Sequence, residues 1–159
     1  MHGLGNDFMM VDLISQPVTL NPKLIKELSD RRFGIGFDQL LTVRPPARPD
    51  SDFRYTIYNA DGSEAEQCGN GARCFLGFVR DEGLTTKSTI RLETSNGNIT
   101  CKLGKDGNVT VDMGKPALQP GKVPFVADSP QINYQLSLGP EYPDTFSISA
   151  LNVGNPHAV

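Results

Sequence analysis

Gln67-Cys68-Gly69-Asn70-Gly71-Ala72-Arg73-Cys74-Phe75-Leu76-Gly77-Phe78-Val79, residues 67 to 79, runs a glycine loop straight into an apolar helix face. Ala72, Phe75, Leu76 and Val79 recur at helical spacing, which predicts a core-facing helix, and Gly83 stands where a C-terminal glycine cap belongs. A cysteine at the start of such a helix lies beside exposed backbone N–H groups and the positive helix end. That setting favours a thiolate, and the same N–H groups can hold a carboxylate. Cys68 is therefore the candidate acid/base. Cys74 lies six positions on, on another face of the helix beside Phe75, and is expected in the core. Cys101 alternates with Ile99 and Leu103 on one face of a strand and is expected buried.

Outward from this stretch, Phe53, Tyr55 and Ile57 alternate with polar neighbours, the period of a half-buried strand, and lead into the turn Asn59-Ala60-Asp61-Gly62. Before it, Leu40 to Val43 reads as a short strand and Pro45 to Pro49 as a stiff connection. Asn21-Pro22 offers an N-cap with proline in the first turn. Leu24, Ile25 and Leu28 then predict a helix that runs until Gly34. Phe8 to Val11 reads as a buried strand directly after a glycine-rich start. On the other side, strands are predicted near 89–94, 98–103 and 108–113, joined by Ser95-Asn96-Gly97 and Lys105-Asp106-Gly107, which are hairpin chemistry. From Gly114 to Pro143 the pattern weakens, before residues 147 to 153 resume a strand that ends in Gly154-Asn155-Pro156-His157. The expected boundary lies near residue 115, with domains at 1–115 and 116–159. No repeat period or low-complexity tract is visible.

The bulk numbers remove whole classes of function. With 159 residues, 38% of them hydrophobic and 21% charged, the chain can form one or two small domains with real cores. Eighteen acidic against fifteen basic residues give a net charge of −3, so no basic excess exists to bind nucleic acid. The longest apolar runs are too short for a membrane helix and no signal-peptide pattern is seen, so the expected compartment is the cytosol. Three cysteines without a secretory signal read as reduced thiols. Those thiols are scattered and, with His2 and His157, include no C-x-x-C pair, so no metal site is expected. Phosphate-loop and dinucleotide motifs, a pyridoxal lysine context and a serine-hydrolase elbow are all missing. No cofactor is expected, and chemistry must use the thiol.

Three Gly-Asn pairs, Gly5-Asn6, Gly69-Asn70 and Gly154-Asn155, fall at strand or helix ends. Each alone is ordinary turn chemistry. Together they form a set of amides able to accept from an ammonium group and donate to a carboxylate, which suits a zwitterionic amino acid.

Five segments in order, Met1 to Phe8, Gly36 to Leu41, Asn59 to Ser63, Gln67 to Cys74 and Gly154 to His157, resemble diaminopimelate epimerases along the whole chain. The resemblance implies an α/β (α+β) fold of two similar domains. Each would be a curled, mainly antiparallel sheet around a central helix, here one complete-looking domain plus the beginning of a second. It implies a cofactor-independent isomerase in which one cysteine thiolate takes the α-proton of diaminopimelate and a second cysteine delivers a proton on the opposite face, in lysine and peptidoglycan precursor biosynthesis. Cys68 matches the first cysteine. Asn6, Gln39, Asn59, Asn155 and the backbone of Gly69 and Asn70 match substrate-binding positions, and His157 matches a position that modulates the thiols. Full-length members are expected to be homodimers.

Two departures stand out. The family has several residues before the Met-His-Gly-Leu-Gly segment, and it continues for about another hundred residues that carry the second cysteine. The expectation is therefore an inactive amino-terminal portion of an active enzyme. The alternatives are a short product that binds an amino acid or a partner, or a cofactor-free racemase or isomerase of the same fold with another substrate.

Overall fold

The computed structural model describes residues 1–159, which divide into two compact units, Met1–Met113 and Gly114–Val159. The first contains β1 (His2–Gly3), β2 (Asn6–Asp12), α1 (Pro22–Ser29), β3 (Gln39–Arg44), β4 (Phe53–Asn59), β5 (Glu64–Ala65), α2 (Gly69–Asp81), β6 (Thr89–Thr94), β7 (Gly97–Leu103) and β8 (Val109–Asp112). Its strands form one sheet in the order β1-β2-β3-β4-β6-β7-β8, with β5 paired to β4. The pairs β2–β3 and β4–β6 are parallel and the rest antiparallel. Each parallel pair is bridged by a helix, α1 in the first case and α2 in the second, as a parallel connection requires.

The sheet is curled around α2, which touches β1 and β8 at the two ends of the sheet as well as β2, β3 and β7 between them. Strand alternation decides which residues line that wrap. Phe8 of β2, Leu41 and Val43 of β3, and Phe53, Tyr55 and Ile57 of β4 all enter one core with Ala72, Phe75, Leu76 and Val79 of α2. Those four α2 residues are fully buried. Phe75 meets Tyr55 and Phe53 edge-on, with ring centroids 5.3 and 5.9 Å apart, and such pairs add about 0.5–1.5 kcal/mol beyond burial. The opposite face carries a smaller core in which Ile25 of α1 packs with Val11, Phe37 and Leu40. This is the mixed, mainly antiparallel architecture around a central helix that the resemblance implies.

The first helix differs from expectation. Its N-terminus forms as read, with Asn21 Oδ1 accepting from Leu24 N at 2.9 Å, but it ends at Ser29, five residues before Gly34. Asp30 turns to an extended backbone and its carboxylate accepts from the N–H groups of Arg32 and Phe33 at 2.7 and 2.8 Å. This local side-chain capture competes with a further helical turn. Gly34 serves a different purpose from the predicted cap: a Cβ there would stand 2.3 Å from Glu27 O, so only glycine lets the chain fold back on the helix end. The glycine-rich start likewise holds an unpredicted hairpin, β1–β2, turned by Leu4 and Gly5 at φ 55° and 84°. Two successive positive φ values are what a tight two-residue hairpin turn needs.

The second unit has a 3-10 turn at Pro120–Lys122 and four short strands, β9 (Tyr134–Ser137), β10 (Thr145–Ile148), β11 (Ala150–Asn152) and β12 (Pro156–Ala158). They form two separate antiparallel hairpins, β9–β10 and β11–β12. The single strand expected over 147–153 is thus broken at Ser149, where the chain changes partner. Ser149 exchanges backbone hydrogen bonds with Val159, and its hydroxyl donates to Ile132 O at 2.9 Å. Val123, Tyr134 and Ala150 are the buried apolar residues of this unit. No helix of the chain is long and apolar enough to cross a membrane.

Candidate active site

Cys68 caps the N-terminus of α2, with an extended backbone and a sulfur that accepts from Gly71 N at 3.4 Å. Its carbonyl accepts from Ala72 N at 3.0 Å and from the hydroxyl of Tyr55 at 3.1 Å. Tyr55 is buried and cannot ionise to any useful extent: burial first, then the nearby sulfurs, hold its hydroxyl well above its ordinary range. It remains a donor, and it ties the cysteine loop to β4. Gly71 makes this contact possible, because a Cβ there would stand 2.6 Å from the Tyr55 hydroxyl and 2.8 Å from Leu41 Cδ2.

The three thiols have separate fates. Cys68 is half-buried, whereas Cys74 and Cys101 are buried. Burial pushes the Cys74 thiol up, and pushes Cys101 up to about 12, so both stay protonated at neutral pH. Cys101 donates to Ala72 O at 3.6 Å and is part of the packing under α2.

Strand periodicity brings the predicted amides to the Cys68 end of the sheet. Asn6 begins β2, Gln39 begins the parallel β3, and Asn59 ends the antiparallel β4, directly opposite Gln39. Each lies an even number of positions from residues of its strand that pack on α2, so all three project from that same face. Asn6 Oδ1 lies 3.7 Å from Cys68 Sγ. Gln39 Nε2 donates to Asn59 Oδ1 at 3.1 Å, and Asn59 Nδ2 donates to Ser63 Oγ at 3.1 Å. Asn70 Oδ1 is held by the Arg73 guanidinium, and Gly3 of β1 packs against Asn70, where a Cβ would meet Asn70 Cβ at 3.2 Å. The N–H groups of Gly69 and Asn70 belong to the first helical turn, whose donors have no intrahelical acceptor.

The structure thus joins Cys68, Asn6, Gln39, Asn59, Gly69 and Asn70 at one end of the first unit. Asn155 and His157 belong to the second unit, Asn155 in the turn of the β11–β12 hairpin and His157 in the middle of β12, where His157 Nε2 and Asn155 Oδ1 are 2.8 Å apart. Three supporting groups escaped the sequence reading. They are the Tyr55 hydroxyl, the Ser63 hydroxyl and the Asp38 carboxylate, which accepts from Asn6 Nδ2 at 3.1 Å. Asp38 and Ser63 sit inside motifs already singled out, next to amides whose partners had to come from somewhere. Tyr55 looked like an inward strand residue and nothing more. A thiol flanked by one N–H donor and one amide acceptor, with further amides beside it, can give or take a proton next to a polar ligand.

The model of the family described as diaminopimelate epimerase matches residues 1–119. A protein named diaminopimelate epimerase from Aromatoleum aromaticum is 58% identical over all 159 residues, and the chain spans 56% of its length. Among solved structures, a hydroxyproline epimerase from Agrobacterium vitis with bound trans-4-OH-L-proline superimposes with a TM-score of 0.70 at 13% identity, over 99% of this chain and 48% of that one. A probable proline racemase from Agrobacterium radiobacter K84 gives a TM-score of 0.60 at 18% identity, over 86% of this chain and 38% of that one. At such identities these two structures speak for the fold alone. With its model matched across three-quarters of these residues, the chain belongs to the diaminopimelate epimerase family.

Proposed function

We propose that this chain supplies one half of a cofactor-independent epimerase that interconverts LL- and meso-diaminopimelate, with Cys68 as one of two acid/base thiols. The observation that carries the reading is the Cys68 sulfur itself: it is the half-exposed thiol, at a helix N-terminus, beside Gly71 N–H and Asn6 Oδ1. As thiolate it takes the α-proton, and the electron pair left on carbon is shared with the adjacent carboxylate. First-turn N–H groups of α2, those of Gly69 and Asn70, stabilise the charge that develops there. A proton from a second thiol on the opposite face then completes inversion. In this reading Asn6, Gln39, Asn59, Asn155 and the backbone of Gly69 and Asn70 contact the substrate, and His157 tunes the thiols.

The second acid/base is not one of the other two cysteines of these 159 residues, because Cys74 and Cys101 are buried in the core around α2. The 159-residue chain alone is therefore expected not to turn over. The test is incorporation of solvent deuterium at the α-carbon of diaminopimelate, comparing this chain with the same chain extended by the remaining residues of the Aromatoleum relative. The extended protein should exchange the proton, and Cys68→Ala should abolish it. An extended protein that folds but exchanges nothing sinks the proposal.

A further inference from the structure

Asn6 stands between two groups with different demands. Its Nδ2 donates to Asp38 Oδ2 at 3.1 Å, while its Oδ1 accepts from Cys68 Sγ at 3.7 Å. A side-chain amide offers donors at one atom and an acceptor at the other, and an ionised carboxylate only accepts. Whatever fixes the Asp38 end therefore decides what the sulfur meets. Asp38 is itself well held. Its Oδ2 also accepts from Asp7 N at 2.8 Å, and its Oδ1 takes one Arg31 guanidinium nitrogen at 2.8 Å. The other guanidinium nitrogen of Arg31 bonds Asp7 Oδ2 at 2.9 Å, and Asp38 N donates to Asp7 O at 3.1 Å.

We propose that Asp38 is a positioning residue for the Cys68 thiol: by engaging the Asn6 amide nitrogen it aims the Asn6 carbonyl oxygen at the sulfur. The inference rests on reading Cys68 as an acid/base group and adds a residue that sets its hydrogen-bond polarity without touching it. With the oxygen facing the thiol, the S–H proton has a directed acceptor, and the sulfur's accepting side is left to Gly71 N–H. A flipped amide would offer N–H donors to the sulfur and favour the anion instead. Asp38 thus fixes which atom of the Asn6 amide the sulfur meets, and Arg31 fixes Asp38 by bridging it to Asp7 of β2.

The experiment reads the thiol directly in the 159-residue chain. Alkylation by iodoacetamide at neutral pH is followed on the Cys68 peptide by mass spectrometry, so the buried cysteines do not contribute. Asp38→Asn frees Asn6 to flip, and Cys68 should react about three- to tenfold faster, the size of a hydrogen bond gained by a thiolate. Loss of a nearby negative charge would act in the same direction, so the substitution is repeated on Asn6→Ala. If Asp38 works through Asn6, its replacement there changes the rate by less than about twofold. An acceleration that persists without the Asn6 amide, or no acceleration in the native background, overturns the proposal. The unsubstituted chain gives a second readout that needs no variant: the side-chain nitrogen resonance of Asn6 should move as Asp38 is protonated in acid, and a resonance that stays still overturns it too. Failure of the epimerase reading looks different, since it leaves this alkylation contrast intact while the extended protein exchanges no deuterium.

Discussion

The two units differ in how much apolar core they close, although both leave some apolar side chains exposed, Phe33 and Leu4 in the first among them. In the first, α2 fills the inside of a continuous sheet, and Phe75, Leu76, Ala72, Val79, Leu41 and Ile90 are all fully buried. In the second, two separate hairpins share a core of Val123, Tyr134 and Ala150, while Val126 is 100% and Ile132 86% exposed. Isolated two-stranded hairpins are marginal in water because each leaves one face and two edges uncovered. What separates the units is the presence of a helix that the sheet can close around.

The strongest way to break that comparison is to empty each core in turn. Phe75→Ala removes a side chain that is fully buried between Phe53 and Tyr55, at a cost of about 3–5 kcal/mol. Hydrogen exchange should then accelerate from β2 through β8. Tyr134→Ala removes the partner of Phe125, whose ring lies 4.7 Å away, yet faster exchange should be confined to residues 114–159. If Tyr134→Ala also raised exchange in β3 and β7, the two units would share one cooperative transition and the contrast would fail.

A smaller change tests how closely each unit is packed. Gly71→Ala adds one methyl group against Tyr55 and Leu41, and overpacking of this kind costs about 1–3 kcal/mol. It should lower the thermal midpoint and also alter Cys68 alkylation, because the Tyr55 hydroxyl must leave the Cys68 carbonyl. Gly121→Ala, in the second unit, meets nothing within 4 Å and should stay within about 0.5 kcal/mol of the unsubstituted chain. Equal midpoints for the two variants would show that the closeness of α2 to the sheet is not a constraint on this fold.

The same division governs how much could be read from sequence. Around α2 the signals agree with one another: helical spacing in Ala72, Phe75, Leu76 and Val79, alternation in Phe53, Tyr55 and Ile57, and turn residues between the strands from 89 onward. Burial enforces such patterns, so the central helix, the flanking strands and the sorting of the three cysteines were legible. The early end of α1 was not, because it is decided by the Asp30 carboxylate taking two backbone donors and by a close approach at Gly34 that no local periodicity records. Around Ser149 the strand changes partner without any change in pattern, since both hairpins lie largely in solvent. At the site, amide positions could be named from motifs. Their mutual hydrogen bonds depend on which strands run side by side, and this is a property of the closed sheet.

The smallest effect concerns acid. The Asp38 carboxyl is held below its usual range by the Asp7 N–H first, then by the Asn6 amide, then by Arg31. The unfolded chain therefore binds this proton more readily than the native one. Its contribution to stability is complete above the ordinary value of 3.8 and is lost as pH falls through the lowered native value. The side chain is 43% exposed and its partners are solvated, so the contribution is at most about 0.5 kcal/mol. Asp38→Asn should accordingly destabilise the first unit slightly at pH 7, and the difference from the unsubstituted chain should shrink as the pH is taken below about 4. Denaturant midpoints at the two pH values measure it. A penalty that does not change with pH would mean that Asp38 acts by shape alone, and its ionised state would then have no part in holding the strand that begins at Asn6. A penalty that vanishes in acid ties the order of this end of the sheet to the same charge that orients the amide beside Cys68.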